Sequence, residues 1–181
     1  MTRLFIALII PLHIREEIVK LRKGFLAGTA TYKWEPIDKI HLTIKFIGEV
    51  KDEMVDNIIK KISFVEVYNK FECCLTGFDF FYRSGKPSIF YSSLQIDKVI
   101  IEVVRKINSG LEEFGVQVEK KDFKTHLTLL RLKGYEDIEP LKEICKNKLN
   151  IRFIADTIVL YKSRLHPHGS EYIELKNYKL R

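Results

Sequence analysis

A short motif that occurs twice is the feature of this 181-residue sequence that most constrains its fold. The triplet His-Leu-Thr stands at 41–43 and again at 126–128, and an aliphatic residue follows it each time. The two copies are 85 residues apart, close to half of the chain. With only five histidines in the sequence, chance is a poor explanation. The repeat therefore predicts two related halves that each contribute one motif.

Both motifs lie in segments whose apolar residues alternate, as expected of β-strands. Successive side chains of a strand point to opposite faces, so His41 and Thr43 share one face and the leucine between them points to the core. His126 and Thr128 are placed in the same way. If a twofold axis relates the two strands, the two pairs face one another across a groove.

Two basic residues follow the motifs. Strict alternation puts Lys45 on the face of His41 and Thr43, where it either contacts a phosphate or is a solvated lysine. The same alternation puts Arg131 opposite His126. A role for Arg131 in the site therefore requires that the strand ends or bulges before it.

Two imidazoles and two hydroxyls form a set of groups that suits a phosphodiester. Histidine titrates near neutral pH, so one ring can take a proton from water while the other gives a proton to the leaving oxygen. The hydroxyls can donate hydrogen bonds to the non-bridging oxygens. Such a site needs neither metal nor cofactor, and the sequence shows neither the ligand spacing of a zinc site nor a glycine-rich phosphate loop.

The rest of the chain predicts strands and helices in mixed order. Strands are predicted at 3–10, 40–50, 70–82, 88–94, 124–132, 151–161 and 172–180. Helices are predicted at 13–23, 51–63, 97–114 and 138–148. A turn is expected at 84–87, and Gly115 is expected to end the third helix. This order favours an α+β fold with largely antiparallel sheets, and no linker divides residues 1–181.

Composition excludes several classes of protein. A hydrophobic content of 46% is too high for a disordered chain. The longest apolar run, residues 4–12, is about half of what a membrane-spanning helix needs. Three cysteines, two of them adjacent, form no disulfide framework and favour the cytoplasm. The net charge of +7 permits a polyanionic partner, although it also fits a solvated, lysine-rich surface.

At the two motifs the sequence resembles the 2H phosphoesterase superfamily, which is named for paired His-x-Thr motifs. Within it, the chain is similar to the RNA 2',3'-cyclic phosphodiesterase family, historically called 2'-5' RNA ligase. Residues 41–49 and 124–131 resemble the two family motifs, with Lys45 where arginine is more usual. Residues 3–8 resemble the opening strand of the family and residues 160–165 its closing strand motif.

The resemblance implies a bilobal α+β fold, with two pseudo-symmetric, mainly antiparallel sheets lining a central groove and helices on the outside. It implies a single domain in which each lobe contributes one His-x-Thr motif. It also implies hydrolysis of a terminal 2',3'-cyclic phosphate of RNA to a 2'-phosphate, with His41 as the acid and His126 as the base. Thr43 and Thr128 would then hold phosphate oxygens, and Arg131 would add positive charge.

Two other functions stay open at this point. The first is a 2'-5' RNA ligase that joins tRNA halves, which is in essence the reverse reaction with an RNA hydroxyl in place of water. The second is a non-catalytic module that binds RNA or nucleotides, which the presence of both histidines and both threonines disfavours. The expected partner is RNA with a 2',3'-cyclic phosphate end, including tRNA fragments. The protein is expected to be a monomer without membrane contact.

Overall fold

A computed structural model describes residues 1–25, 32–167 and 169–181. Within these residues the strands are β1 (Thr2–Ile9), β2 (His41–Val50), β3 (Phe71–Arg83), β4 (Lys86–Ile96), β5 (His126–Arg131), β6 (Ile151–Ala155), β7 (Thr157–His166) and β8 (Gly169–Lys179). The α-helices are α1 (Leu12–Phe25), α2 (Val55–Ile62), α3 (Val99–Leu111) and α4 (Glu139–Cys145). No helix in the described ranges is long and apolar enough to cross a membrane.

The strands form two antiparallel sheets of four, and each sheet holds one motif. The first sheet has the order β2-β1-β7-β8 and the second has the order β5-β4-β3-β6. The motif strands β2 and β5 are edge strands, and they lie against each other. The predicted α+β fold with mainly antiparallel sheets is confirmed.

The two halves of the chain exchange a strand. The first half runs β1-α1-β2-α2, and the second runs β4-α3-β5-α4 in the same order. Strand β3 of the first half pairs with β4 in the second sheet, and β7 of the second half pairs with β1 in the first sheet. Neither sheet is therefore complete without both halves of the chain.

One predicted strand is in fact two strands. The sequence predicts a single strand over 151–161, but β6 ends at Ala155 in the second sheet and β7 begins at Thr157 in the first. Asp156 alone carries the chain across, and its carbonyl accepts a hydrogen bond from the N–H of Leu180 at 2.8 Å. The prediction is wrong because both pieces bury apolar residues, so the sequence pattern does not show where the chain changes sheets. The other predicted elements are present with boundaries shifted by a few residues.

Each sheet turns one face toward the core. Along β1, Leu4, Ile6 and Leu8 on one face are at most 1% exposed, and Phe5 and Ala7 on the other face are at most 2% exposed. Helix α3 buries the stripe Ile100, Val103, Val104, Ile107 and Leu111. Gly115, with φ +76°, then ends the short 3₁₀ turn that follows this helix. These apolar faces pack in the core, so the groove lies on the opposite faces of the sheets.

The β3–β4 hairpin turns through Ser84 and Gly85, which have φ values of 50° and 74°. A two-residue turn of this kind favours Asn-Gly, because asparagine tolerates the left-handed region better than serine does. We expect Ser84→Asn to raise the free energy of unfolding by about 0.5 kcal/mol and Ser84→Val to lower it by about 1 kcal/mol. Urea denaturation measures both changes, and equal stability of the two variants would contradict this turn geometry.

Candidate active site

Each motif histidine is held by the backbone two residues before it. Nδ1 of His126 lies 2.8 Å from the carbonyl oxygen of Lys124. His41 makes the corresponding backbone hydrogen bond with Lys39. A carbonyl only accepts hydrogen bonds, so Nδ1 of His126 carries the proton and Nε2 keeps its lone pair in the neutral ring. This contact leaves one nitrogen of His126 free for proton transfer.

Three aromatic rings surround His41. Phe5 of β1 stacks on the imidazole with ring centroids 5.3 Å apart, and Tyr172 of β8 meets it edge-on at 5.8 Å. Tyr161 of β7 lies 6.4 Å away. These rings come from three strands other than β2, so the spacing of residues along the chain gives no signal for Tyr172.

Two rings of the second sheet surround His126. Phe81 of β3 meets the imidazole edge-on at 4.7 Å, and Tyr91 of β4 does so at 5.6 Å. The two rings also stack on each other at 4.2 Å. Neither residue is predicted from the sequence, since only the strand register reveals which aromatic side chains share the face of His126. Each motif histidine thus contacts rings from the two strands next to its own.

Burial and positive charge disfavour protonation of both histidines. Burial is the main reason that the pKa of His41 falls to about 4; the hydrogen bond with Lys39 opposes this shift, and the charges of Arg131 and His126 add to it. Burial also lowers the pKa of His126; the hydrogen bond with the Lys124 carbonyl opposes this shift, and the charges of Arg131 and Lys124 add to it. The guanidinium of Arg131 therefore acts on both imidazoles, and the three groups form one electrostatic site.

The same irregularity follows each motif. In β2, Ile44 has no partner in the register with β1 and forms a β-bulge. In β5, Leu129 forms a bulge against β4. Both are the third residue after the motif histidine. Because a bulge reverses the alternation beyond it, the fifth residue after each histidine returns to the groove face. These residues are Phe46 and Arg131.

The bulge moves Lys45 away from the motif. Lys45 is only 6% exposed, and its Nζ donates a hydrogen bond to the carbonyl of Gln117 at 2.6 Å. The sequence expectation that Lys45 shares the face of His41 and Thr43 is wrong, because strict alternation fails at Ile44. Lys45 instead ties β2 to the segment that precedes β5.

The remaining predicted residues lie on the groove side. Thr43 and Thr128 are half-buried and precede the bulges, so each stays on the face of its own histidine. Arg131 reaches this face because the bulge that the sequence analysis required is present. Its Nε donates to Oε1 of Glu35 at 3.2 Å. Phe46, 63% exposed, occupies the corresponding position in the first sheet.

A cavity of about 560 Å³ opens beside this cluster. The rings of Phe5, Phe46 and Tyr172 form part of its wall. Its charged lining is mostly basic and consists of Arg3, Lys33, Lys39, Arg131 and Lys133 against Glu35 and Glu136. The cavity therefore suits an anion that also carries apolar rings. No group of three or more metal-ligating side chains occurs among the residues that the structure describes, which leave out His168.

A comparison with protein families agrees with this duplication. The model of the LigT like Phosphoesterase family matches the chain over 9–91 and again over 93–172, with one His-x-Thr motif in each match. The chain belongs to the LigT-like phosphoesterases. The RNA 2',3'-cyclic phosphodiesterase of Methanocaldococcus jannaschii is 29% identical over 97% of this chain and 99% of the relative. That of Thermotoga maritima is 25% identical over 94% and 91%.

Solved structures share this fold. A protein of Thermus thermophilus superposes with a TM-score of 0.83, and Escherichia coli LigT complexed with 3'-AMP does so with 0.80. Each is 22% identical, and each comparison covers 99% of this chain and 98% of the other. The bilobal α+β architecture that the resemblance implies is thereby confirmed.

We expect the ring protons of His41 to titrate near pH 4 in a proton NMR titration, with His41→Gln identifying the signals. Burial is the main cause, so Tyr172→Ala should raise this pKa by about one unit toward the ordinary 6.5. As the pH falls, His41 takes up its proton at a higher pH in the unfolded chain than in the folded one. His41 therefore makes the protein less stable as the pH falls from about 6.5 to about 4. A wild-type pKa near 6.5 would contradict the aromatic enclosure of His41.

Proposed function

We propose that this LigT-like phosphoesterase hydrolyses the 2',3'-cyclic phosphate at an RNA end to a 2'-phosphate, by acid–base catalysis with two histidines and without a metal ion. One observation carries the proposal: two His-x-Thr pairs lie on edge strands of two sheets that meet, where the charge of Arg131 lowers the pKa of both histidines. The names of the relatives, RNA 2',3'-cyclic phosphodiesterase, support this substrate class.

A cyclic phosphate placed between β2 and β5 meets groups from both strands. His126 takes a proton from water as the water oxygen bonds to phosphorus, and His41 gives a proton to the 3' oxygen as its bond to phosphorus breaks. The phosphate stays on the 2' oxygen. Thr43 and Thr128 donate hydrogen bonds to the non-bridging oxygens, and Arg131 offsets their charge.

The mechanism needs one proton on the two histidines, although both pKa values are lowered in the free protein. The negative charge of a bound phosphate raises the pKa of a nearby imidazole, so substrate binding favours protonation. An imidazolium with a low pKa gives up its proton readily. This property suits His41 as the acid, which is the role that the family resemblance implies.

The surroundings of the site favour an RNA end over a small nucleotide. The basic lining of the cavity and the net charge of +7 provide contacts for backbone phosphates beyond the reacting one. We place the reaction in the cytoplasm, where Cys73, Cys74 and Cys145 would remain the free thiols that they are here. We further propose a monomer in which residues 1–181 act as one domain of two lobes, and tRNA fragments as one class of substrate.

An oligoribonucleotide with a 2',3'-cyclic phosphate end tests the proposed reaction. We expect a 2'-phosphate end to form in the presence of EDTA, identified by its resistance to a 3'-specific phosphatase, and His126→Ala to abolish it. Loss of activity in EDTA that one divalent metal restores would overturn the metal-free mechanism. Joined RNA halves as the main product would favour the ligase, and tight binding without turnover would favour the binding module.

Substitutions separate the groups that transfer protons from those that bind. His41→Ala and His126→Ala should each lower kcat by about 100-fold or more. Thr43→Val and Thr128→Val should each weaken transition-state binding by about 1–3 kcal/mol, whereas serine at either position should retain most activity. Lys45→Met should leave kcat within about twofold, because Lys45 faces away from the groove. Steady-state kinetics measures each variant, and near-normal activity of either alanine variant would exclude the two-histidine mechanism.

A further inference from the structure

Glu35 places a carboxylate where an anion is expected to bind. It pairs with Arg131 at 3.2 Å, and the exposed fractions are 22% for the Glu35 side chain and 61% for that of Arg131. Both residues line the cavity beside the histidines. Burial raises the pKa of Tyr172, the charge of Glu35 raises it further, and Arg131 opposes the shift. Both charges therefore lie close to the ring that meets His41.

The backbone around Glu35 is held in place. Its N–H donates to the carbonyl of Leu129, the bulged residue of β5, at 2.8 Å. Its own carbonyl accepts a hydrogen bond from Nη1 of Arg22 at 3.1 Å. The Arg22 guanidinium also lies over the ring of Trp34, with 5.0 Å to the ring centroid. The backbone position of Glu35 therefore does not depend on the contact between its carboxylate and Arg131.

The substrate and the product of the proposed reaction differ in charge. A cyclic phosphodiester carries one negative charge, whereas a phosphomonoester carries about 1.5 to 2 near neutral pH, because its second pKa is about 6. Coulomb energy is proportional to charge. A fixed carboxylate therefore repels the product about twice as strongly as it repels the substrate.

We propose that Glu35 determines specificity by selectively weakening the binding of phosphomonoesters, so that it favours the cyclic diester and promotes release of the 2'-phosphate product. This inference rests on the proposed function of the same site. Glu35 does not touch the reacting atoms and takes no part in proton transfer. It acts by opposing the charge of Arg131.

Glu35→Gln removes the charge while keeping the shape of the side chain. At about pH 8, where the monoester is a dianion, we expect the Kd of 2'-AMP to fall about tenfold and that of 2',3'-cyclic AMP about threefold. The charge of 2'-AMP is twice that of 2',3'-cyclic AMP, so the change in binding free energy is twice as large. The fold-change in Kd is therefore the square of that for the cyclic nucleotide. Titration calorimetry in a His126→Ala background measures both constants without turnover. Product inhibition by 2'-AMP should become stronger in the single Glu35→Gln variant.

Glu136→Gln is a matched control. Glu136 lines the same cavity, but its carboxylate accepts hydrogen bonds from the backbone N–H groups of Lys133 and Gly134. We expect this substitution to change the ratio of the two dissociation constants less than Glu35→Gln does, because it is Glu35 that pairs with Arg131. An unchanged ratio in Glu35→Gln, or weaker binding of both ligands, would overturn the inference. Turnover of the cyclic substrate by the wild-type protein is measured separately. If Glu35→Gln changes the ratio but the wild-type protein shows no turnover, the proposed hydrolysis is wrong and the charge effect of Glu35 stands.

Discussion

The site depends on the way in which the chain crosses between its two sheets. Strands β3 and β7 each complete the sheet of the opposite half, and Asp156 alone separates β6 from β7. At this crossing, a single residue links the two sheets. The two motif strands are edge strands that lie against each other, so the two sheets together place His41 and His126. A groove built in this way is preorganised, which lowers the reorganisation needed to reach a transition state.

Charge is distributed differently at the centre of the groove and around the cavity beside it. At its centre, aromatic rings favour the neutral form of both imidazoles, and Glu35 offsets the charge of Arg131. Further positive charge lies around the cavity, on residues such as Arg3, Lys33 and Lys133. In the proposed function, the lining of the cavity attracts a polyanion, while the reacting phosphate enters a centre where the charge of Arg131 is paired with Glu35. The phosphate itself brings the charge that favours protonation of a histidine.

The sequence predicts the parts of this molecule that depend on periodicity. The strands that carry the motifs, the buried stripe of α3 and the shared face of His41 and Thr43 all follow from apolar spacing. What periodicity cannot show is a change of register or of sheet. Lys45 is misplaced because one extra residue reverses the alternation, and residues 151–161 are misread because both sheets bury similar side chains. For the bulge in β5, the sequence does contain a signal. Leu129 and Leu130 are two consecutive apolar residues before the charged Arg131, which breaks a strict alternation.

The paired bulges also give the groove a direction. Two identical motifs related by a twofold axis would present the same surface to a ligand in either of two opposite orientations. The bulges return one further residue of each motif strand to the groove, and there the copies differ, with an apolar ring at Phe46 and a cation at Arg131. An asymmetric ligand such as a nucleotide can distinguish these two ends. We infer that this pair of positions helps to orient the substrate of the proposed reaction, and one copy can differ there without a change at the histidines.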